Sequence, residues 1–231
     1  MASSLLNAAR RRGGGMLSFG LWRGFLRSAA PLALAALSLS GSATYARAAS
    51  TCALEPKATV DLAKFRGLAG GPSIHPDMLR GRVVLLVNTA SYCGYTKQLT
   101  SLEALHQRFG SRGLTVIGIP CNDFGGQEPD GEEKIAAFYS KEHAVTFPLT
   151  AKYAVAGGES HPFYLHMAHK LGDAGIPPWN FHKYLLGRKG DLVGLFDPSI
   201  DPLDAQIVDT IEKELAEEGG PVPAAADKVD L

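Results

Sequence analysis

Cys93 is the residue whose type and place most readily allow chemistry. It follows the apolar run Val83-Val84-Leu85-Leu86-Val87 and precedes Leu99, Leu102, Leu105 and Phe109, which recur at helical spacing. A thiol between a buried strand and a helix stands at or near the helix N-terminus. Unpaired N–H groups and the helix dipole there favour thiolate over thiol, and the thiolate is the nucleophile. The other cysteines are Cys52 and Cys121. Three cysteines make neither a disulfide scaffold nor a C-x-x-C redox or zinc pair, so at least one thiol is free. Position alone leaves two readings of Cys93 open, because many free cysteines are small buried hydrophobes.

Three stretches carry a family resemblance. Asn88-Thr89-Ala90-Ser91-Tyr92-Cys93-Gly94-Tyr95-Thr96 resembles the glutathione peroxidase signature around the peroxide-attacking Cys or selenocysteine. Pro120-Cys121-Asn122-Asp123-Phe124-Gly125-Gly126-Gln127-Glu128-Pro129 resembles the second motif of that family, and Trp179-Asn180-Phe181-His182-Lys183-Tyr184-Leu185 the third. They stand in the family's order and at its spacings, and the resemblance runs from about Val60 to Leu215. It implies a thioredoxin-like fold and a catalytic group of Cys93, Gln127, Trp179 and Asn180. The expected activity is thiol-dependent reduction of hydrogen peroxide and of organic or lipid hydroperoxides. A Cys93 thiolate would attack one peroxide oxygen and become a sulfenic acid, which a second thiol must reduce.

The source of that second thiol is where the sequence departs from its relatives. Many Cys-containing members carry a resolving Cys in the helix after the Gly-rich loop, and that register here holds Ser140. Cys121 is the only other thiol of the domain and a candidate resolver; its bland reading is a packed residue at a strand end. A one-cysteine cycle using glutathione or another external thiol is the first expectation, with a thioredoxin-like reductant as the alternative. Lys97, Lys183 and Arg188 are candidates to receive glutathione carboxylates, against the plainer reading of solvated surface charges. Leu99 stands where the family usually has Tyr. The stretch between Tyr153 and Trp179 lacks the loop that builds tetramers, so a monomer is expected.

The elements that must position these residues follow from the pattern. Val83–Val87 and Leu114–Ile119 read as buried strands around a helix ending near Gly110, a spacing that fits a parallel crossover. Helices are expected over Glu132–His143 and Ser160–Leu171. Phe181–Leu186 and Asp191–Phe196 form a hairpin around Gly187-Arg188-Lys189-Gly190. Asp201 and Pro202 read as N-cap and N1 of a last helix with Ile207, Ile211 and Leu215 inward. The fold class is therefore α/β, a thioredoxin-like three-layer fold with a mixed central sheet and helices on both faces. The domain is expected over 59–216.

The chain ends differ from this domain. Met1–Leu54 holds no Asp or Glu but six arginines, then an apolar run from Ala29 to Leu39 and Ala46-Arg47-Ala48. That is the order of a signal peptide, and 1–48 is read as a leader for export to a bacterial periplasm or secretion, with a mitochondrial or plastid transit peptide as the alternative. Residues 49–58 read as a short flexible segment and 217–231 as a disordered tail. The 23 basic and 23 acidic residues balance, so bulk charge points to no nucleic-acid partner. The chemistry calls for no cofactor or metal. His161, His166 and His169 lie close in sequence, but no carboxylate or Cys completes a ligand set. The rival functions are a peroxide sensor that passes oxidation to a partner protein and a thioredoxin-fold metal chaperone. The missing C-x-x-C weighs against a disulfide oxidoreductase.

Overall fold

The computed structural model describes residues 64–217. The readings of 1–48, of 49–58 and of the tail beyond Glu217 lie outside them. Strand β1 (Val83–Thr89) is buried at all seven positions. It runs parallel to β2 (Leu114–Pro120) on one side and antiparallel to β3 (Lys183–Leu186) on the other, and β4 (Leu192–Phe196) completes the order β2-β1-β3-β4. A central strand covered on both faces has no solvent side, which is why β1 reads as an unbroken apolar run rather than an alternation.

The alternating side chains of the sheet feed two cores. Val83, Leu85 and Val87 pack with Leu102, Leu105 and Phe109 of α1 (Gln98–Phe109), Ile135 and Tyr139 of α2 (Glu132–His143), and Ile207 and Ile211 of α4 (Ala205–Ala216). Val84 and Leu86 point the other way, onto Phe163 and Met167 of α3 (Pro162–Leu171). The sheet is thus mixed, with helices on both faces, and its β-α-β, hairpin, helix order is thioredoxin-like.

Several element starts differ from expectation by a few residues, two of them for a clear local reason. The last helix starts at Ala205 with Asp204 as its cap, its carboxylate accepting from Gln206 N at 2.9 Å. Asp201, expected in that role, instead accepts from Leu203 N at 2.9 Å and closes the preceding turn. Strand β3 starts at Lys183 rather than Phe181, because Phe181 has φ 68 and leaves the extended conformation. His161 is the cap of α3: its ring accepts from Phe163 N at 3.3 Å and stacks on Phe65 at 3.9 Å.

Leu85 is fully buried at the centre of β1. Leu85→Ala removes its contacts and leaves a cavity that a sheet cannot close, so denaturant unfolding should show a loss of about 2–5 kcal/mol.

Candidate active site

The strand directions bring the three motif segments to one end of the sheet. β1 and β2 are parallel, with Thr89 opposite Pro120, so the chain leaves both strands at the same end. β3 is antiparallel to β1, with Lys183 opposite Val87, so the chain enters β3 at that end too. Cys93 lies just beyond β1, Gln127 beyond β2, and Trp179-Asn180 just before β3.

Hydrogen bonds then tie the three segments together. Tyr92 N donates to Gln127 O at 3.1 Å. Asn180 Nδ2 donates to Gln127 Oε1 at 2.9 Å. That bond commits the Gln127 oxygen as acceptor and leaves its Nε2 as the donor end. Asn88 Nδ2 donates to Trp179 O at 3.0 Å, and Asn88 O accepts from Phe181 N at 2.6 Å. Asn180 is fully buried, whereas Trp179 is 38% exposed, so its indole reaches the surface beside Phe124.

Cys93 is half-buried and its thiol is free. Its sulfur accepts from Tyr95 N at 3.4 Å, and its own N–H donates to Thr96 Oγ1 at 3.1 Å. The Thr96 hydroxyl in turn donates to Cys93 O at 2.7 Å, closing a turn just ahead of α1. A backbone donor therefore faces the sulfur, as expected for a residue near a helix start.

Glycine is required on the Gln127 side. Gly125 and Gly126 have φ 64 and 62, a left-handed pair that other residues adopt only at a cost. A Cβ on Gly125 would already touch Gln127 and Trp179, at 3.5 Å from each. Below this loop Glu128 is fully buried, and Tyr139 Oη donates to its Oε2 at 2.8 Å. Burial raises the Glu128 carboxyl above its ordinary range. Nothing in its local sequence signals that burial. The sequence gives Asn88 a place in the first motif but no role; a polar residue ending an apolar strand is the available signal.

The remaining candidates fall elsewhere. Cys121 is fully buried at the end of β2 and its sulfur accepts from Asp123 N at 3.3 Å. Burial pushes its thiol up to about 12, so it is neither accessible nor readily ionised. Lys97 is exposed four residues after Cys93. Lys183 is fully buried, its ammonium donating to Phe181 O at 2.8 Å, and has no surface on which to meet a carboxylate. Arg188 follows β3 at the far end of the sheet and donates to Gly81 O, Leu215 O and Arg112 O at 2.8, 3.1 and 3.3 Å. It closes the fold there, away from Cys93. Ser140 is exposed on α2, its hydroxyl donating to Ala136 O at 2.9 Å. Among the described residues no group of three or more His, Cys, Asp or Glu is placed to hold a metal ion.

Two predictions follow from burial. In a Cys52→Ser background, an alkylating agent should label Cys93 in the folded protein, and Cys121 only after denaturation; mass spectrometry of the labelled peptides checks this. A carboxyl raised by burial costs the folded state stability as pH climbs above the ordinary carboxylate value, because the folded protein must then retain a proton or a desolvated charge. Glu128→Gln keeps an acceptor for Tyr139, so unfolding curves should show it gaining on wild type more at pH 7 than at pH 4.

Comparison with known proteins agrees with this geometry. The glutathione peroxidase family model matches residues 63–168. Hydroperoxy fatty acid reductase Gpx2 of Synechocystis is 41% identical over 145 residues, 63% of this chain and 92% of that protein. The glutathione peroxidase-like peroxiredoxin HYR1 of Saccharomyces cerevisiae is 43% identical over 145 residues, 61% of this chain and 87% of its own. Among solved structures, Trgpx in its apo form superposes with a TM-score of 0.55 at 31% identity, covering 71% of this chain and 99% of Trgpx. With nearly the whole length of such relatives matched and all three motif segments assembled at one end of the sheet, the chain belongs to the glutathione peroxidase family.

Proposed function

We propose that this protein reduces hydroperoxides at Cys93 and is returned to its thiol by an external thiol. The observation that carries the reading is the Asn180–Gln127 hydrogen bond, which joins two motif segments beside the segment bearing a half-buried free thiol. The Cys93 thiolate attacks one peroxide oxygen, the O–O bond breaks, and the departing oxygen takes a proton to leave as water or an alcohol. Gln127 Nε2 and the Trp179 indole supply neutral donors toward the charge that develops, and Asn180 holds Gln127 in place for it. Cys93 is left as a sulfenic acid.

The reductant is argued from what the thiols can do. Among the described residues neither buried Cys121 nor exposed Ser140 supplies a resolving thiol, which supports a cycle on Cys93 alone. An external thiol condenses with the sulfenic acid, releasing water and forming a mixed disulfide. A second thiol attacks that disulfide and frees Cys93. Glutathione fits this scheme, with exposed Lys97 as the residue to receive one of its carboxylates; a thioredoxin-like protein is the alternative. The names of the relatives, a hydroperoxy fatty acid reductase and a peroxiredoxin, support lipid hydroperoxides as substrates and keep the alternative reductant in play. The leader pattern supports export to a periplasm or secretion, with organelle import as the alternative, and the absent tetramer loop supports a monomer.

Peroxide consumption by the full chain, with glutathione or with a thioredoxin system, tests this beside Cys93→Ser. Turnover with glutathione that vanishes in C93S is expected. Gln127→Ala, Trp179→Phe and Asn180→Ala should each lower the rate of Cys93 oxidation by ~10–1,000-fold. Turnover with thioredoxin alone would overturn the glutathione assignment, and equal rates in wild type and C93S would overturn the peroxidase reading.

A further inference from the structure

Lys183 is fully buried, and no other lysine or arginine among the described residues is buried to that degree. Burial pulls its ammonium down to about 8, against the nearby charges of Asp201 and Asp197, which favour it. A desolvated cation inside a small domain is costly, so what it holds is informative. It donates to Phe181 O at 2.8 Å and stands 3.4 Å from Pro198 O and 3.5 Å from Asp197 O. Phe181 has φ 68, a conformation that a bulky side chain keeps only where its surroundings impose it. The same residue donates its N–H to Asn88 O at 2.6 Å, while Asn88 Nδ2 holds Trp179 O. On the other side, Pro198 O also accepts from Gln98 Nε2 at 2.8 Å, and Gln98 is the first residue of α1, five positions after Cys93. One ammonium is thus joined to the segment bearing Trp179 and Asn180 and, through a shared carbonyl, to the helix that follows the thiol.

We propose that Lys183 is a positioning residue of the peroxide site: its ammonium holds the Phe181 carbonyl in the left-handed turn that presents Trp179 and Asn180, and couples that turn through Pro198 to the start of α1. The proposal rests on the peroxidase reading above. It assigns Lys183 no contact with peroxide or with the reducing thiol. Its action is geometric: without the cation the strained turn relaxes, Trp179 shifts, and the Asn180 amide no longer holds Gln127 in place beside the Cys93 segment. A misplacement of about 1 Å at such a site is worth about 100-fold in rate.

The test is Lys183→Met in the full chain, Met being of similar length and without a donor. Trp22→Phe is added throughout, so that Trp179 is the only indole of the two in the chain. The second-order rate constant for loss of the Cys93 thiol with hydrogen peroxide is followed by stopped flow; it does not depend on how much of the sample is folded. The expected result is a rate constant lower by roughly tenfold or more, together with a shifted Trp179 emission. A rate constant equal to that of the parent overturns the proposal, as does a lowered one with unchanged Trp179 emission. Should K183M not fold, Lys183→Gln, polar but too short to reach the Phe181 carbonyl, is read in the same way; two variants that do not fold would assign Lys183 to folding alone and overturn it. A parent protein no faster than C93S marks failure of the peroxidase reading, which takes this inference with it. A fast parent with an equally fast K183M leaves that reading standing and removes only the role of Lys183.

Discussion

Asn88, one residue from the end of β1, makes the two hydrogen bonds on which the site depends. Its backbone carbonyl accepts from Phe181 and its side chain donates to Trp179. Together they dock the third motif segment onto the strand that leads to Cys93. The docking is possible only because β3 is antiparallel to β1 and enters the sheet where β1 leaves it. The parallel pairing of β1 with β2 supplies the Gln127 loop at the same end. Mixed strand direction is therefore what turns three segments far apart in sequence into one site.

The groups by which the three segments meet are neutral. Tyr95 N faces the sulfur, and the motif donors are amides and an indole. Buried polar groups are expensive when unpaired, and here the Asn180 amide spends its donor on Gln127 and thereby orients it. Two ionisable groups are held back from the surface behind these segments: Glu128 lies under the Gln127 loop with Tyr139, and Lys183 lies behind the Trp179 segment. Cations that do reach outward, such as Lys97, sit at the rim. Fixed dipoles of this kind, where they face a transient oxyanion, need no reorganisation as the charge appears.

The two cysteines of the described region show how burial separates chemistry from packing. Each lies just past the end of a neighbouring parallel strand, yet Cys93 is half-buried at the mouth of a turn while Cys121 is sealed into the second core. Desolvation raises Cys121 out of the range in which it could ionise near neutral pH. With a serine at position 140, the described residues place no second accessible thiol beside Cys93.

Much of the fold is legible in the sequence because its signals are local. The unbroken apolar run of β1, the helical recurrence of Leu99, Leu102, Leu105 and Phe109, and the Gly187–Gly190 turn each depend on neighbours a few residues away. Cys93 could be placed between a strand and a helix for the same reason, and the three motifs in order pointed to the family. The roles of the charged residues were not legible, since burial is set by partners remote in sequence. Lys183 and Arg188 read as surface cations, but the first is enclosed by carbonyls of the loop after β4 and the second clasps the far end of the sheet. Even Asp201 and Asp204, both able to cap, were told apart only by which turn closed on which carboxylate. The elements, the place of Cys93 between a strand and a helix, and the family could all be read from the chain alone, because these rest on short-range pattern and motif order. The tertiary structure alone decided which cysteine is accessible and which cations are buried, because pairing of distant strands sets where water can reach.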